Sequence, residues 1–451
     1  MPPANTIRDI FNVANPVPLA GDDPRYVDCT DVRGGQDAVS ELFNRIDLSD
    51  RVLTQLFTGH RGCGKSTELL RLKRKLEAAN YAVIYFEADD IIDIDDVEYS
   101  DILVALARQI YEGFRGFGIA LDKGMLDDIF NWFAEVVSEF ETVKAAQVAL
   151  EAEVAFETPP LPLLSRLMAR ITGQLRTGVE SKKNVRLRLD PQIAQLINRI
   201  NLLIRTGYTA LRRQGKQGLV VMIDNLDKVP FRTLDGDGRN SHEAIYMEHG
   251  EQLRSLDCHL IYTVPIAMMY SPRAAVLTNI FPDNLVLPML KTHTKENKAW
   301  PAGVQLMREI LAQRIALGMA FDEETLQLLC QESGGHPRQL MTLVRNATLF
   351  ANRQAATPPL IDRRAVERAL ERLVSDYSRS IPEEHYPLLA RVYLDKQVSN
   401  DEANRLMLHN LSVLEYLNGS PPWHDVNPAV RHLAKFQEAL AHERQARKKT
   451  K

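Results

Sequence analysis

Nine consecutive residues, Gly59-His60-Arg61-Gly62-Cys63-Gly64-Lys65-Ser66-Thr67, fit the pattern GxxxxGK[ST]. The spacing suits the chemistry of phosphate. Glycines let successive backbone N–H groups curl around phosphate oxygens, and a helix N-terminus adds partial positive charge. Lys65 is expected to reach the β- and γ-phosphates of a nucleoside triphosphate, and Ser66 to place its hydroxyl on Mg²⁺. A second stretch, Leu219-Val220-Val221-Met222-Ile223-Asp224, is five apolar residues ending in an acid. It reads as a buried parallel strand that delivers Asp224 to the same metal ion. The next position is Asn225, which cannot act as a base, while Asp227 lies two residues further on. Either Asp227 takes the proton from the attacking water, or hydrolysis is slow and nucleotide binding is the main event. Thr263, the polar tip of the run 258–264, stands where a γ-phosphate sensor would sit. A third motif, Gly334-Gly335-His336-Pro337-Arg338, interrupts one helical pattern and opens another. From a helical lid, Pro337 is placed to pack on a base and Arg338 to reach phosphates.

These residues need elements to hold them. Residues 52–57 read as a strand entering the glycine loop, and 68–76 as the helix leaving it. Residues 81–86 suit a second strand, 258–264 a fourth and 283–288 a short fifth. A helix over 39–46 precedes the first strand, in a position that helps enclose a base. The acidic run from Glu87 to Asp101 reads as a solvated loop charging the start of the next helix. No strand is expected between 112 and 216. Ile129, Phe133, Val136, Val137 and Phe140 form a helical stripe there, 142–156 is rich in Ala and Glu, and Pro159-Pro160 is a break. Asp190-Pro191 reads as a helix start with a capping carboxylate. Asp235-Gly236-Asp237-Gly238 lacks the later ligands of a calcium loop and reads as a surface turn. His242, Glu243 and His249 lack the HExxH spacing and read as a solvated helix.

The bulk properties narrow the class. At 451 residues two or three domains are expected. A net charge of −4 argues against a dedicated nucleic-acid binder. Cys29, Cys63, Cys258 and Cys330 form no metal-like pairs, so a reduced cytosol is the expected setting. The start has no signal-like pattern, and no apolar run approaches the roughly 18 residues of a membrane helix, so the expectation is a cytoplasmic protein with no membrane partner. Cys63, a thiol among phosphate-binding amides, is expected to make the loop sensitive to oxidation.

Taken together, Gly59–Thr67, Val220–Asp227 and Gly335-His336-Pro337-Arg338 resemble the P-loop ATPases of the AAA+/STAND group. The specific likeness is to bacterial STAND-like and initiator-like ATPases, whose lid carries a GxP motif with its proline on adenine. The resemblance implies an α/β fold, a parallel-sheet P-loop NTPase core of the additional-strand type with a large helical insertion. It implies a helical lid and a C-terminal winged-helix-like domain as well. The corresponding division is a lead-in at 1–32 and a core at 33–295 with an insertion at about 112–216. The lid spans 296–378, the winged-helix-like unit 379–435 and a frayed basic tail 436–451. ATP and Mg²⁺ are the implied cofactors, and ATP hydrolysis the implied activity. Asn225 stands where AAA+ enzymes generally have Glu, which implies slow turnover. Arg254 and Arg273 are the candidates for an arginine finger.

Two functions follow from the resemblance. One is a nucleotide-dependent oligomerising switch, of the kind used in bacterial antiviral defence, with any effector on a separate chain. The alternative is a DNA-associated initiator or loader that reads DNA through its winged helix. Against the alternative, Arg405 is the only strong cation at residues 400–415.

Overall fold

Runs of β-branched and apolar residues buried on both sides form a parallel sheet only when helices cover both faces, and this chain supplies them. The computed structural model describes residues 2–35, 37–137, 162–234, 239–352, 357–417 and 421–450. Helices α1 (Ile7–Val13) and α2 (Ala38–Asp47) precede β1 (Thr54–Gly59) and α3 (Lys65–Ala78). Next come β2 (Ala82–Glu87), α4 (Tyr99–Gly116), α5 (Lys123–Val137), α6 (Leu163–Thr177), α7 (Val179–Leu189) and α8 (Ile193–Arg213). Strands β3 (Leu219–Asp224), β4 (His259–Pro265) and β5 (Asn284–Leu287) complete a five-stranded sheet in the order β2-β3-β4-β1-β5. Every pairing is parallel. With β4 inserted between the loop-bearing β1 and the aspartate-bearing β3, this is the additional-strand P-loop fold.

Alternate residues along the strands serve the two faces. Phe57, Val83, Met222 and Ile261 pack toward α2 and α3, while Leu56, Ile84, Val221 and Leu260 pack toward α4 and the inserted helices. Among the described residues the insertion is all-helical, and Phe133, Ile171, Leu196 and Leu203 join the second of these clusters. The Ala- and Glu-rich stretch 142–156, the break at Pro159-Pro160, Phe140, and the turn at Asp235–Gly238 lie outside the described residues. Among the described residues no helix is long and apolar enough to cross a membrane.

Several expectations change here. The acidic run is not a solvated loop: Asp93 and Asp96 bind Lys182, while Asp96, Glu98 and the buried Asp101 bind Arg186, both on α7. Asp190 does not cap the start of a helix with its carboxylate. Its backbone is already helical at the α7–α8 junction, and its carboxylate accepts from the Tyr99 hydroxyl at 2.9 Å. The segment around His242 and Glu243 is buried, because the His242 ring bonds Val229 O at 2.8 Å and Glu243 pairs with Arg405 at 3.0 Å.

Helices α9 (Pro301–Ala312), α10 (Glu323–Glu332), α11 (Pro337–Phe350) and α12 (Arg363–Ser380) build the lid. The lead-in packs into it, with Ile10 of α1 in one cluster with Leu340 and Val344. Then follow α13 (His385–Asp395), α14 (Glu402–His409), the antiparallel hairpin β6 (Val413–Tyr416) with β7 (Trp423–Val426), and α15 (Ala434–Thr450). The expected boundaries at 378/379 and 435/436 fall inside α12 and α15. The C-terminal tail is not frayed, because Phe436 and Leu440 are buried with Leu389 of α13 and Arg447 holds Asp395 through two bonds of 2.6 and 2.7 Å.

Candidate functional site

The site is built where β1 stops and α3 starts. Gly62 and Gly64 take φ of +81° and +115°, a region that L side chains avoid. A Cβ on Gly62 would sit 2.6 Å from the His336 ring. Lys65, the first residue of α3, folds back so that Nζ donates to Gly59 O at 2.8 Å and His60 O at 2.9 Å. Its third partner is the Asp227 carboxylate at 2.9 Å. Burial pulls the Lys65 pKa down, but the charge and hydrogen bond of Asp227, together with Cys63 and Asp224, outweigh it and raise the pKa above its ordinary value.

Asp224 is buried at the end of β3 and accepts from the Ser66 hydroxyl, from Tyr85 OH at 2.9 Å and from the Asn225 amide at 2.7 Å. Burial, and then the nearby charge of Asp227, raises its pKa. Asn225 has φ of +67°, which turns its side chain across the sheet edge. Its Nδ2 donates to Glu87 at 2.6 Å and to Asp89 at 2.8 Å, and Lys228 pairs with Asp89 at 2.7 Å.

Four expected site residues sit elsewhere than expected. Thr263 is buried inside the sheet, where its hydroxyl accepts from Leu226 N at 3.1 Å and donates to Ile223 O at 3.3 Å. It shapes the turn after Asp224 and does not line the cleft. The His60 ring points away from the loop's hollow and accepts the Glu415 amide of β6 at 2.7 Å. Arg61 spends its guanidinium on Asp227 O, Lys228 O and the His409 ring, at 3.2, 2.8 and 3.0 Å. The Cys63 thiol packs with Leu69 and Leu287 in the core below the loop, so the expected exposure to oxidants is absent. Arg254 and Arg273 lie off the cleft, paired with Glu251 and Glu243.

A cleft open to solvent runs beside the loop. Gly62 to Thr67, Asn225 and Asp227 line one side, and Pro337 and Arg338 of α11 line the other. His336 caps α11 and its ring bonds Arg61 O at 2.7 Å, so the lid touches the loop directly. Residues that sequence reasoning missed form the far wall: Pro16, Val17, Pro18 and Tyr26 from the lead-in, with Arg314 and Met341 from the lid. The Leu19 amide donates to Thr67 at 3.2 Å. Arg33 lies under the loop, donating to Cys63 O at 2.6 Å and pairing with Glu68 at 2.9 Å. No motif marks these residues.

The residues fit a magnesium–nucleotide. Mg²⁺ in such sites takes few protein ligands and completes its shell with phosphate and water, and the touching Ser66 and Asp224 side chains are a set of that kind. Among the described residues no denser cluster of metal-ligating side chains occurs.

No family model matches the chain, and neither does any curated protein. Among solved structures it is similar to the Orc1 protein of Aeropyrum pernix in complex with DNA, with 14% identity and a TM-score of 0.37 over 93% of this chain and 94% of that one. It is also similar to Cdc6p from Pyrobaculum aerophilum, with 10% identity and a TM-score of 0.34 over 92% and 99%. A Walker-type ATPase of Pyrococcus abyssi gives 11% identity and a TM-score of 0.40 over 95% and 99%. Likeness this faint carries no argument. The fold rests on the strand order and the loop.

Proposed function

We propose that this chain binds and hydrolyses ATP and uses the bound nucleotide to set the position of its lid and C-terminal unit. The observation that carries the reading is the convergence on one loop. Gly62 to Thr67 face the cleft, while His60 and Arg61 of the same loop hold β6 and His409, and Arg61 O holds His336 of the lid. Phosphate entering the loop competes with Asp227 for Lys65. Asp227 shares its turn with the carbonyls that bind Arg61, so a change at Lys65 reaches the C-terminal unit within a few bonds.

In this reading Mg²⁺, held by Ser66 and Asp224, supplies charge neutralisation for the phosphates. Lys65 supplies the fixed cation, Arg338 a mobile one from the lid, and Pro337 with the lead-in prolines the apolar wall for the base. Self-association on ATP belongs to the same reading, since Arg254 and Arg273 face outward. A DNA-reading role for the C-terminal unit has the burial of Arg405 against it.

The test is equilibrium binding of a fluorescent ATP analogue to the wild type and to Lys65→Ala, with hydrogen exchange of residues 413–416 measured with and without ATP. Loss of affinity in the variant, and altered protection of the hairpin in the wild type, are expected. Unchanged affinity in Lys65→Ala would sink the assignment.

A further inference from the structure

The sequence leaves the attacking water without an obvious base, and the structure offers four carboxylates at the edge of the site. We propose that Glu87, at the end of β2, is the group that deprotonates this water, with Asn225 holding it in place. The inference rests on the reading that the site hydrolyses a nucleoside triphosphate.

Three of the four carboxylates are committed. Asp224 takes Ser66, Tyr85 and the Asn225 amide. Asp227 is the counter-ion of Lys65 and is itself buried. Asp89 is paired with Lys228 and takes the second hydrogen of the Asn225 amide. Glu87 differs. One of its oxygens accepts from Asn225 Nδ2 at 2.6 Å, and the other takes no hydrogen bond from a described residue.

Its position follows from the sheet. β2 pairs with β3 in register, Glu87 opposite Asp224. In-register neighbours of parallel strands point to the same face, and residues two apart along a strand share that face. Tyr85, two residues before Glu87, reaches Asp224, and Val83 and Met222 pack in the cluster beneath α3. Glu87 therefore stands on the side of the phosphate loop, one strand from the metal-binding aspartate. Asn225, which lines the cleft, spends both amide hydrogens on carboxylates, which fixes its nitrogen and leaves its carbonyl oxygen free to hold a water. The pair divides the work that one glutamate after Asp224 would do, with Asn225 positioning and Glu87 taking the proton.

The step balances simply. A water O–H bond breaks and its proton passes to the Glu87 carboxylate as the water oxygen bonds to the γ-phosphorus. The bond from that phosphorus to the β–γ bridging oxygen breaks, and its electron pair leaves on ADP. Inorganic phosphate is the other product, and the proton on Glu87 returns to solvent.

The experiment measures kcat, KM and equilibrium affinity for ATP in the wild type, Glu87→Gln and Asp227→Asn. Glutamine keeps an acceptor for Asn225 but cannot accept a proton. Glu87→Gln is expected to lower kcat by roughly 10²–10⁴-fold at unchanged affinity. Asp227→Asn is expected to act mainly on KM, by removing the counter-ion of Lys65. Wild-type turnover in Glu87→Gln overturns the proposal, as does a kcat collapse confined to Asp227→Asn. Should Glu87→Gln not fold, Asn225→Gly, which keeps the left-handed backbone, must show the same loss of kcat at unchanged affinity. Failure of the wild type to bind ATP at all overturns the underlying reading, and its affinity measurement separates that case from the others.

Discussion

At the scale of single residues, the loop is specified by what it cannot accommodate. Gly62 has a positive φ and lies where a methyl group would meet the His336 ring at 2.6 Å and Arg338 Cβ at 2.7 Å. Gly62→Ala therefore adds left-handed strain of about 1–2 kcal/mol and drives a wedge between loop and lid. The expected outcome is a lower melting temperature together with weaker ATP binding, measured by calorimetry on one preparation. Loss of stability at full affinity would mean that the lid contact is not part of the nucleotide site. The loop's backbone and its place between strand and helix were legible in the sequence, because glycines at fixed spacing followed by Lys-Ser encode them locally. Asp224 was legible for the same reason, as the end of an apolar strand. His60 and Arg61 were not, since nothing local says that a loop side chain serves a hairpin more than 350 residues later. Thr263 was misplaced because strand position alone does not tell whether a hydroxyl faces the cleft or a neighbouring carbonyl.

At the scale of elements, charge runs acquired partners that their own segment does not show. Arg186 on α7 binds Asp101 at a buried position and Glu98 at 2.9 Å, and so ties the helical insertion to the segment that leaves β2. Removing one member of a buried pair leaves an uncompensated charge and costs about 3–5 kcal/mol. Arg186→Ala is expected to release α6 and α7 to limited proteolysis while β1 and α3 stay protected. Equal protection of α7 in variant and wild type would contradict this. Arg405 gives the parallel case. It stands 3.0 Å from Glu243 and stacks over Phe231, with both charges buried. Arg405→Met is therefore expected to alter stability and leave DNA affinity at any salt concentration where the wild type stands, which a salt-dependent gel shift checks. The acidic run and the helix at Glu243 both read as solvated in the sequence because their partners lie some 85 to 160 positions away.

At the scale of the whole molecule, three histidines gather where loop, lid and C-terminal unit meet. His60 receives the β6 amide, His336 donates to the loop, and His409 receives Arg61. Burial pushes the His60 pKa well below its ordinary value, that of His336 down to about 4 and that of His409 down to about 3. Neighbouring positive charge, from Arg338 at His336 and Arg61 at His409, adds to the effect. Each ring is neutral in the folded chain and takes a proton in the unfolded chain below its ordinary value near 6.5. The unfolded state thus binds more protons between about pH 6.5 and 4, and stability falls as the pH drops through that window. Each ring contributes up to about 1.4 kcal/mol per pH unit there. His336→Gln keeps a donor for Arg61 O but cannot titrate, so its urea-unfolding free energy is expected to fall less steeply than the wild type's between pH 6.5 and 4. In the wild type, the amides of Gln339 to Leu343 on α11 are expected to lose protection from hydrogen exchange before those of β3, since protonation places cations beside Arg338, Arg61 and Lys65 at this joint. Parallel slopes for the two proteins would show that His336 is not held neutral at the joint, and simultaneous loss of protection would show that the joint does not open ahead of the core.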